Sequence, residues 1–148
     1  MGNNIEMFSF FCEDFRKEFD GRCSAMGIYS AVGQMFEFPY EVSRLSLVAY
    51  VTVPKEIETC AIEMRLKCEG VSSESTIRET FGETVTRGDI PESHPFWQVV
   101  SEFDLGSLSF SEGSSIRATI TAGTAKSKSS IFYVGDCERG GSTNKAET

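Results

Sequence analysis

Histidine, basic clusters and long apolar runs are scarce in this 148-residue chain, and each shortage excludes a class of function. His94 is the only histidine, so a metal centre built from several histidines cannot form. The 14 lysines and arginines are scattered and are outnumbered by 22 aspartates and glutamates, which gives a net charge of −8. Duplex nucleic acid and anionic membranes are therefore not expected as partners.

Membrane-spanning and export signals are also missing. The most apolar stretch, 45–53, is interrupted by Ser46 and Thr52 and is far shorter than the ~20 residues that a membrane helix needs. The first residues have neither a basic region nor an apolar run, so no secretory signal is expected. Glu6 stands where N-myristoylation requires Ser or Thr. The sequence thus predicts a cytoplasmic protein.

The cysteines do not indicate a disulfide framework or a zinc site. Their number, five, is odd, and no CxxC spacing occurs. Cys60 and Cys68 lie on one predicted strand, and at ~3.3 Å per residue they are roughly 26 Å apart, which is too far for a disulfide. We expect free, mostly buried thiols in a reducing cytosol.

Two neighbouring segments show strict alternation of apolar residues, and the chain is organised around them. In 45–53 and 60–68 every second residue is apolar or cysteine, and Pro54 separates the segments. A period of two is typical of strands with one buried face. The segments therefore predict a two-stranded unit at the centre of the domain, with the mixed charges of the second strand facing solvent.

Other strands are predicted on both sides of this unit. Asp20-Gly21 predicts a tight turn that joins strands 5–12 and 22–29. For 96–105 a helix and a strand both fit, and we favour the strand because the alternation continues to Ser109. The remaining strands are predicted at 36–38, 76–81, 116–122 and 131–134, the remaining turns at 112–113 and 123–128, and the longest irregular stretch at 82–95.

About eight short strands without helices between them are typical of an all-β fold. We expect a two-sheet antiparallel sandwich of Ig-like architecture. Residues 1–137 are predicted to form this single domain. Residues 138–148 contain no large apolar side chain and are expected to be a flexible tail.

No arrangement of residues indicates a catalytic centre, a metal site or a cofactor. The G-x-S-x-G elbow of serine hydrolases, the EF-hand loop and the glycine-rich phosphate loops are absent from the sequence. A cysteine nucleophile would require Cys12 or Cys137 beside His94. The carboxylates Glu13 and Asp14 could bind a hard cation, which leaves a metal-dependent hydrolase as a third, less favoured hypothesis.

Short motifs in the first 55 residues carry a resemblance to a known group of proteins. They are Cys12-Glu13-Asp14-Phe15-Arg16 followed by Ser24 to Tyr29, Phe38-Pro39, and Thr52-Val53-Pro54. Here the chain resembles an uncharacterised family of small proteins from bacteria and their phages. The resemblance implies a β-rich fold and a phage or prophage setting, and it implies no activity.

We therefore expect a non-catalytic, small soluble binding protein that binds a host factor or sequesters a small nucleotide-like signal. Arginine and lysine side chains match phosphate oxygens, and aromatic rings stack on bases. The predicted ligand-binding residues are first Arg16, Lys17 and Arg22 around the first hairpin, then Arg78 and Arg87 near the long loop, with Trp97 as a ring for stacking. The alternative is a structural or assembly module of a virion or adaptor, with 36–38 as an edge strand that adds a neighbour. A homo-oligomer is compatible with both hypotheses.

Overall fold

The computed structural model describes residues 4–29, 32–35, 38–72, 79–128 and 132–136. This part of the chain contains strands and no helix, so the predicted all-β class is confirmed. The strands are β1 (Glu6–Lys17), β2 (Cys23–Ile28), β3 (Val32–Met35), β4 (Tyr40–Pro54), β5 (Thr59–Ser72), β6 (Thr80–Thr86), β7 (Phe96–Ala122), β8 (Ala125–Lys128) and β9 (Phe132–Asp136). The predicted tail, 138–148, Arg78 and Cys137 lie outside the described residues.

All nine strands belong to one hydrogen-bonded sheet. Its main order is β2-β1-β4-β7-β5-β6, with antiparallel neighbours throughout. β8 and β9 also pair with β7, and β3 runs parallel to β9. The predicted division into two Ig-like sheets is not confirmed.

Strand β7 is 27 residues long and joins the two halves of the sheet. Its residues 96–110 pair with β4, and its residues 109–122 pair with β5. The turn predicted at 112–113 is wrong, because the strand continues through it with positive φ at Gly106 and Gly113. Glycine with positive φ occurs in strand irregularities as well as in turns, so the sequence signal was ambiguous.

The two halves of the sheet pack their apolar faces against each other. Val51 and Trp97 from the first half share a buried cluster with Cys60 and Ala122 from the second half. A larger cluster likewise contains residues of both halves, from Leu47 and Phe103 to Met64 and Ile120. The core therefore lies inside a single sheet that folds over itself, and its burial is the main stabilising contribution.

The central alternation correctly identified buried residues, but β4 is not buried on one face alone. The five alternating residues from Leu45 to Val53 are all buried, as are Cys60, Ile62 and Met64, and Ser46 and Val48 between them are buried as well. The predicted pairing of these two strands with each other is wrong within the described residues, because β4 and β5 each pair with a different half of β7. Alternation reports which side chains are buried and does not report which strand is the neighbour.

Several strand boundaries also differ from the prediction. The first strand extends to Lys17, beyond its predicted end at residue 12. The strand favoured for 96–105 is confirmed as part of β7. The weak strand predicted at 76–81 is described only from Thr80 and extends to Thr86, which shortens the irregular stretch to 87–95. Residues 125–128 form β8 where a turn was predicted. The edge strand predicted at 36–38 falls largely outside the described residues.

Candidate functional site

An open cleft of about 780 Å³ lies where β6 ends and β7 begins. Its wall includes the 87–95 loop, the first residues of β7 and Thr52 at the end of β4. Ligand pockets in proteins commonly have volumes of roughly 300–1,000 Å³. The cleft is therefore large enough for a nucleotide-sized molecule.

The 87–95 loop is attached to the sheet at both ends by backbone hydrogen bonds. Arg87 N donates to Glu58 O at 2.7 Å, and Lys55 N donates to Pro95 O at 3.0 Å. Between these points Lys55 Nζ donates to Glu92 O at 2.9 Å, and a turn closes through His94 N and Pro91 O at 2.9 Å. Because the loop backbone is held in this way, its side chains are presented from a defined position.

Arg87 is the principal cation of the cleft, and its guanidinium is only partly satisfied. Nη1 donates to Gly88 O at 3.2 Å, and Nη2 lies 3.6 Å from the exposed Glu58 carboxylate. Nε is inaccessible to solvent and has no hydrogen-bond partner among the described residues. A buried donor without a partner costs about 1–3 kcal/mol, so this guanidinium has capacity for a further acceptor.

The two aromatic residues at the start of β7 have different environments. Trp97 is 9% exposed, belongs to the core and donates Nε1–H to Ile57 O at 2.9 Å. Phe96 points to the other face of the strand, is 37% exposed and lines the cleft. Because successive side chains of a strand alternate between faces, Phe96 is the ring that is available for stacking, and the sequence analysis did not select it.

Polar side chains complete the wall of the cleft. His94, Asp89 and Gln98 lie along it with Thr52, whose Oγ1 is 3.4 Å from Gln98 Nε2. Imidazole, carboxylate and amide groups supply both donors and acceptors. The wall of the cleft therefore offers one arginine, a partly exposed ring, and groups that both donate and accept hydrogen bonds.

The basic residues predicted on the first hairpin are far more exposed. Arg16 Nε pairs with Asp14 at 2.9 Å, and Arg22 Nε pairs with Asp20 at 2.7 Å. The Arg16 and Arg22 side chains are 70% and 81% exposed, and Lys17 is also exposed. Each guanidinium already has a carboxylate within two residues, which weakens its attraction for a ligand anion.

The buried thiols do not have the properties of nucleophiles. Burial, followed by the charges of Glu102 and Asp14, raises the pKa of Cys12 to about 11. Burial also raises the pKa of Cys60 and Cys68. The thiolate is the reactive form of cysteine, so these side chains are unreactive near neutral pH. The described cysteines, Cys12, Cys23, Cys60 and Cys68, are all free.

Other depressions on the surface are less suited to an anionic ligand. One of about 760 Å³ between β4 and β7 is lined by Glu41 and serines, without a basic or aromatic side chain. Another, of about 360 Å³, contains Arg44 but also Glu13, Asp14 and Glu41. Within the described ranges no group of three or more His, Cys, Asp or Glu residues is arranged to hold a metal ion.

Comparisons with known proteins do not identify a function for this chain. No protein-family model, no curated protein and no solved structure matches this chain. The resemblance of the first 55 residues to bacterial and phage proteins therefore stays an expectation. In the part of the chain that the structure describes, no helix has the length and apolarity needed to cross a membrane.

Proposed function

We propose that this protein is a non-catalytic binding protein whose cleft at the start of β7 holds a small anionic ligand with a planar group. The observation that carries the proposal is the largely buried Arg87 guanidinium, which lines the cleft with its Nε unpartnered in the described structure. The Arg87 side chain is 21% exposed, and a phosphate would pair with this exposed part of the guanidinium. Because Nε is closed to solvent, the phosphate would reach Nε only after the side chain turns. Arginine is well suited to pairing with phosphate oxygens.

The other walls of the cleft offer contacts for the base of a nucleotide. Phe96 offers a partly exposed ring for stacking, and stacking of a base on an aromatic ring contributes about 1–3 kcal/mol. The Gln98 amide and the Asp89 carboxylate are hydrogen-bonding partners for the edge of a base. The ligand class we propose is therefore a nucleotide or a closely similar phosphorylated ring.

Isothermal titration calorimetry with a panel of cyclic and linear nucleotides tests this function. Removal of the charge in Arg87→Gln should weaken binding by roughly 10- to 100-fold, because a hydrogen bond to a charged group contributes about 1.5–3 kcal/mol. Arg65→Gln is the matched control, since Arg65 is an exposed arginine on β5 that pairs with Glu63. It should leave affinity unchanged.

Three outcomes would contradict the proposal. They are an absence of heat with every nucleotide, equal losses for the Arg87 and Arg65 variants, and a loss confined to variants of the first hairpin. The last outcome would move the site to Arg16, Lys17 and Arg22, which remain the alternative binding set.

The setting that we propose is the bacterial cytoplasm, or the host cytoplasm if the gene belongs to a phage. The short motifs at Cys12–Arg16 and Ser24–Tyr29 support it. In that setting the ligand would be a nucleotide-like signal, and the protein would sequester it. We also propose that the two halves of the folded sheet act as the two layers of an Ig-like sandwich, supported by their shared core.

A structural or assembly role is the second candidate, and one observation favours it. Phe8, on the sheet face that points away from the core, is 61% exposed and stacks on Tyr50 with ring centroids 5.0 Å apart. Exposed aromatic pairs of this kind occur at interfaces. Large oligomers in light scattering, without heat from any nucleotide, would support this role over ligand binding.

A further inference from the structure

Strand β2 lies at one end of the main strand order and lacks the residues that usually prevent an edge strand from pairing with another chain. Among the described residues it pairs only with β1. Its sequence, Cys23–Ile28, contains no charged residue and no proline. Proteins normally protect edge strands with charges, prolines or bulges, because an open edge accepts a further strand.

The hydrogen-bonding register shows which backbone groups of β2 face outward. Glu18 N donates to Arg22 O at 2.6 Å, and Ser24 and Met26 are the next partners of β1 on the same register. In an antiparallel ladder the residues between these pairs direct their N–H and C=O groups to the other side. Cys23 and Ala25 therefore present two donors and two acceptors at the open edge.

Irregular backbone at Gly27 limits this edge on one side. Gly27 has φ +65°, and beyond it Tyr29 N donates to Phe11 O. Cys12 still opposes Ile28 there, so the register is kept while the alternation of inward and outward backbone groups changes. The regular edge is thus short and centred on Ser24. Beside it, Met26 and Ile28 are 63% and 60% exposed, which leaves apolar surface uncovered at the same place.

Opposite charges lie at the two ends of this edge. The Glu13 carboxylate lies directly over Gly27, since a Cβ at Gly27 would be 3.0 Å from Glu13 Oε2. At the other end the Arg22 side chain is 81% exposed and pairs with Asp20 of the same copy at 2.7 Å. Glu13 likewise accepts a hydrogen bond from the Tyr29 hydroxyl of its own copy at 3.1 Å, so the contact between copies would add to these pairs. In an antiparallel pair centred on Ser24, Arg22 of each copy would align with Met26 of the other, next to the Gly27–Glu13 contact.

We propose that two copies of this chain associate through antiparallel pairing of β2 with β2, with Arg22 of each copy facing Glu13 of the other. The open edge supplies the backbone hydrogen bonds of Cys23 and Ala25, and the two-fold symmetry brings both charge pairs together. The partner surface is the same surface, which is the arrangement of an isologous dimer. This dimer is independent of ligand binding at the Arg87 cleft.

Sedimentation velocity over a range of concentrations, combined with charge-reversal variants, tests the proposal. The wild-type chain should form a concentration-dependent dimer. Arg22→Glu alone and Glu13→Arg alone should each weaken dimerisation by about tenfold, because every homodimer then has two repulsive contacts. An equimolar mixture of the two variants should dimerise again, because both contacts in the mixed dimer are attractive.

Hydrogen exchange identifies the surface that the dimer uses. The amides of Cys23 and Ala25 should become protected from exchange as the protein concentration rises. Arg65→Glu reverses a charge at an exposed position of β5 and should leave dimerisation unchanged. A wild-type chain that is monomeric at every concentration would overturn the proposal. So would a dimer in which these two amides exchange as fast as in the monomer, or a mixture that restores no association.

Discussion

Gly27 combines two constraints at one position, and both follow from its lack of a side chain. Its φ of +65° lies in the left-handed region, and a Cβ there would lie 2.9 Å from Glu13 Cγ. Residues with a Cβ pay roughly 1–2 kcal/mol for this backbone conformation, and the contact with Glu13 adds to that penalty. The hairpin of β1 and β2 thus depends on glycine at this position.

Gly27→Ala should lower the free energy of unfolding by about 1–3 kcal/mol, because backbone strain and crowding act together. Urea denaturation measures the change. Gly88→Ala is the matched control, since no atom lies within 4 Å of its added Cβ and its φ is not positive. Equal stability of the two variants would show that the φ and the contact at Gly27 have no energetic consequence.

Trp97 and Phe96 are adjacent in the sequence but should respond differently to substitution. Trp97→Phe removes the hydrogen bond to Ile57 O and part of the core, and should cost about 1–3 kcal/mol of stability. Phe96→Ala should change stability much less, because Phe96 is partly exposed, and should weaken nucleotide binding. Thermal unfolding measures the stability of both variants, and calorimetry measures their nucleotide binding. A ligand effect confined to Trp97 would contradict it.

Residue types alone predicted part of the candidate site. Arg87 and Trp97 were selected because arginine and tryptophan suit phosphates and bases, and both line the cleft. The sequence could not show that Trp97 is buried in the core while Phe96 exposes part of its ring. That distinction depends on which face of β7 is buried, and the phase of a strand is fixed by tertiary packing.

At the scale of elements, the register shift between β5 and β7 is accompanied by a small polar contact. Ser111 Oγ and Ser114 Oγ of β7 lie 3.0 and 2.7 Å from Gly70 O of β5, and Ser114 Oγ is also in hydrogen-bonding contact with Ser111 O. Gly70 lies at a register shift in β5 and has φ +71°. Ser114 is completely buried, so its hydroxyl needs a hydrogen-bond partner, and it finds one at this irregularity.

Ser114→Ala should destabilise the protein by about 1–3 kcal/mol, because it removes a buried donor from the Gly70 carbonyl. Chemical denaturation provides the measurement. Ser107→Ala serves as the comparison, since the Ser107 hydroxyl also bonds a backbone carbonyl, Ser43 O, but at an exposed position. The comparison variant should lose less than half as much stability. A larger loss of stability for Ser107→Ala than for Ser114→Ala would contradict this description of the contact at Gly70.

The elements were predicted better by alternation than by turn signals. Alternating apolar residues identified buried residues of β4 and β5, because burial of a face requires that pattern. Glu112-Gly113 was interpreted as a turn, although β7 continues through it. A glycine with positive φ satisfies a turn and a bulged strand equally well, so only the hydrogen-bonding partners of the strand distinguish the two.

For the whole molecule, the raised thiol pKa values predict loss of stability at alkaline pH. Cys12 has a folded pKa of about 11 against an ordinary value of 9.0. Because the folded pKa is the higher one, its contribution is fully present below pH 9 and is lost as the pH rises to about 11. The loss from this one group is on the order of 2–3 kcal/mol.

Denaturation of the wild type and of Cys12→Ala between neutral pH and pH 11 measures this effect. Cys12→Ala should be less stable at neutral pH, because it leaves a cavity, but its stability should decline less steeply above pH 9. Cys60, Cys68 and Tyr29 also have raised pKa values, so a residual decline is expected in the variant. Parallel curves for the two proteins would contradict the assignment to Cys12.

For the chain as a whole, the fold class was easier to predict from the sequence than the topology. Composition and alternation are sums over many residues, and they predicted an all-β domain correctly. The folding of one sheet over itself depends on β7 pairing with two strands, β4 along its first half and β5 along its second half, with an overlap at 109–110. Such long-range pairing leaves no local signal in any of the three strands.

The central claim, that the Arg87 cleft binds an anionic planar ligand, is tested most directly by an NMR titration that follows the Arg87 Nε–H signal. Addition of a nucleotide that binds should shift this signal together with the backbone amides of Phe96 and Gln98, because a phosphate beside the guanidinium changes the charge around it. The Nε–H signals of Arg16 and Arg22 should stay in place. If the Arg87 signal is unchanged with every nucleotide at millimolar concentration, or if only the hairpin signals shift, the claim is wrong.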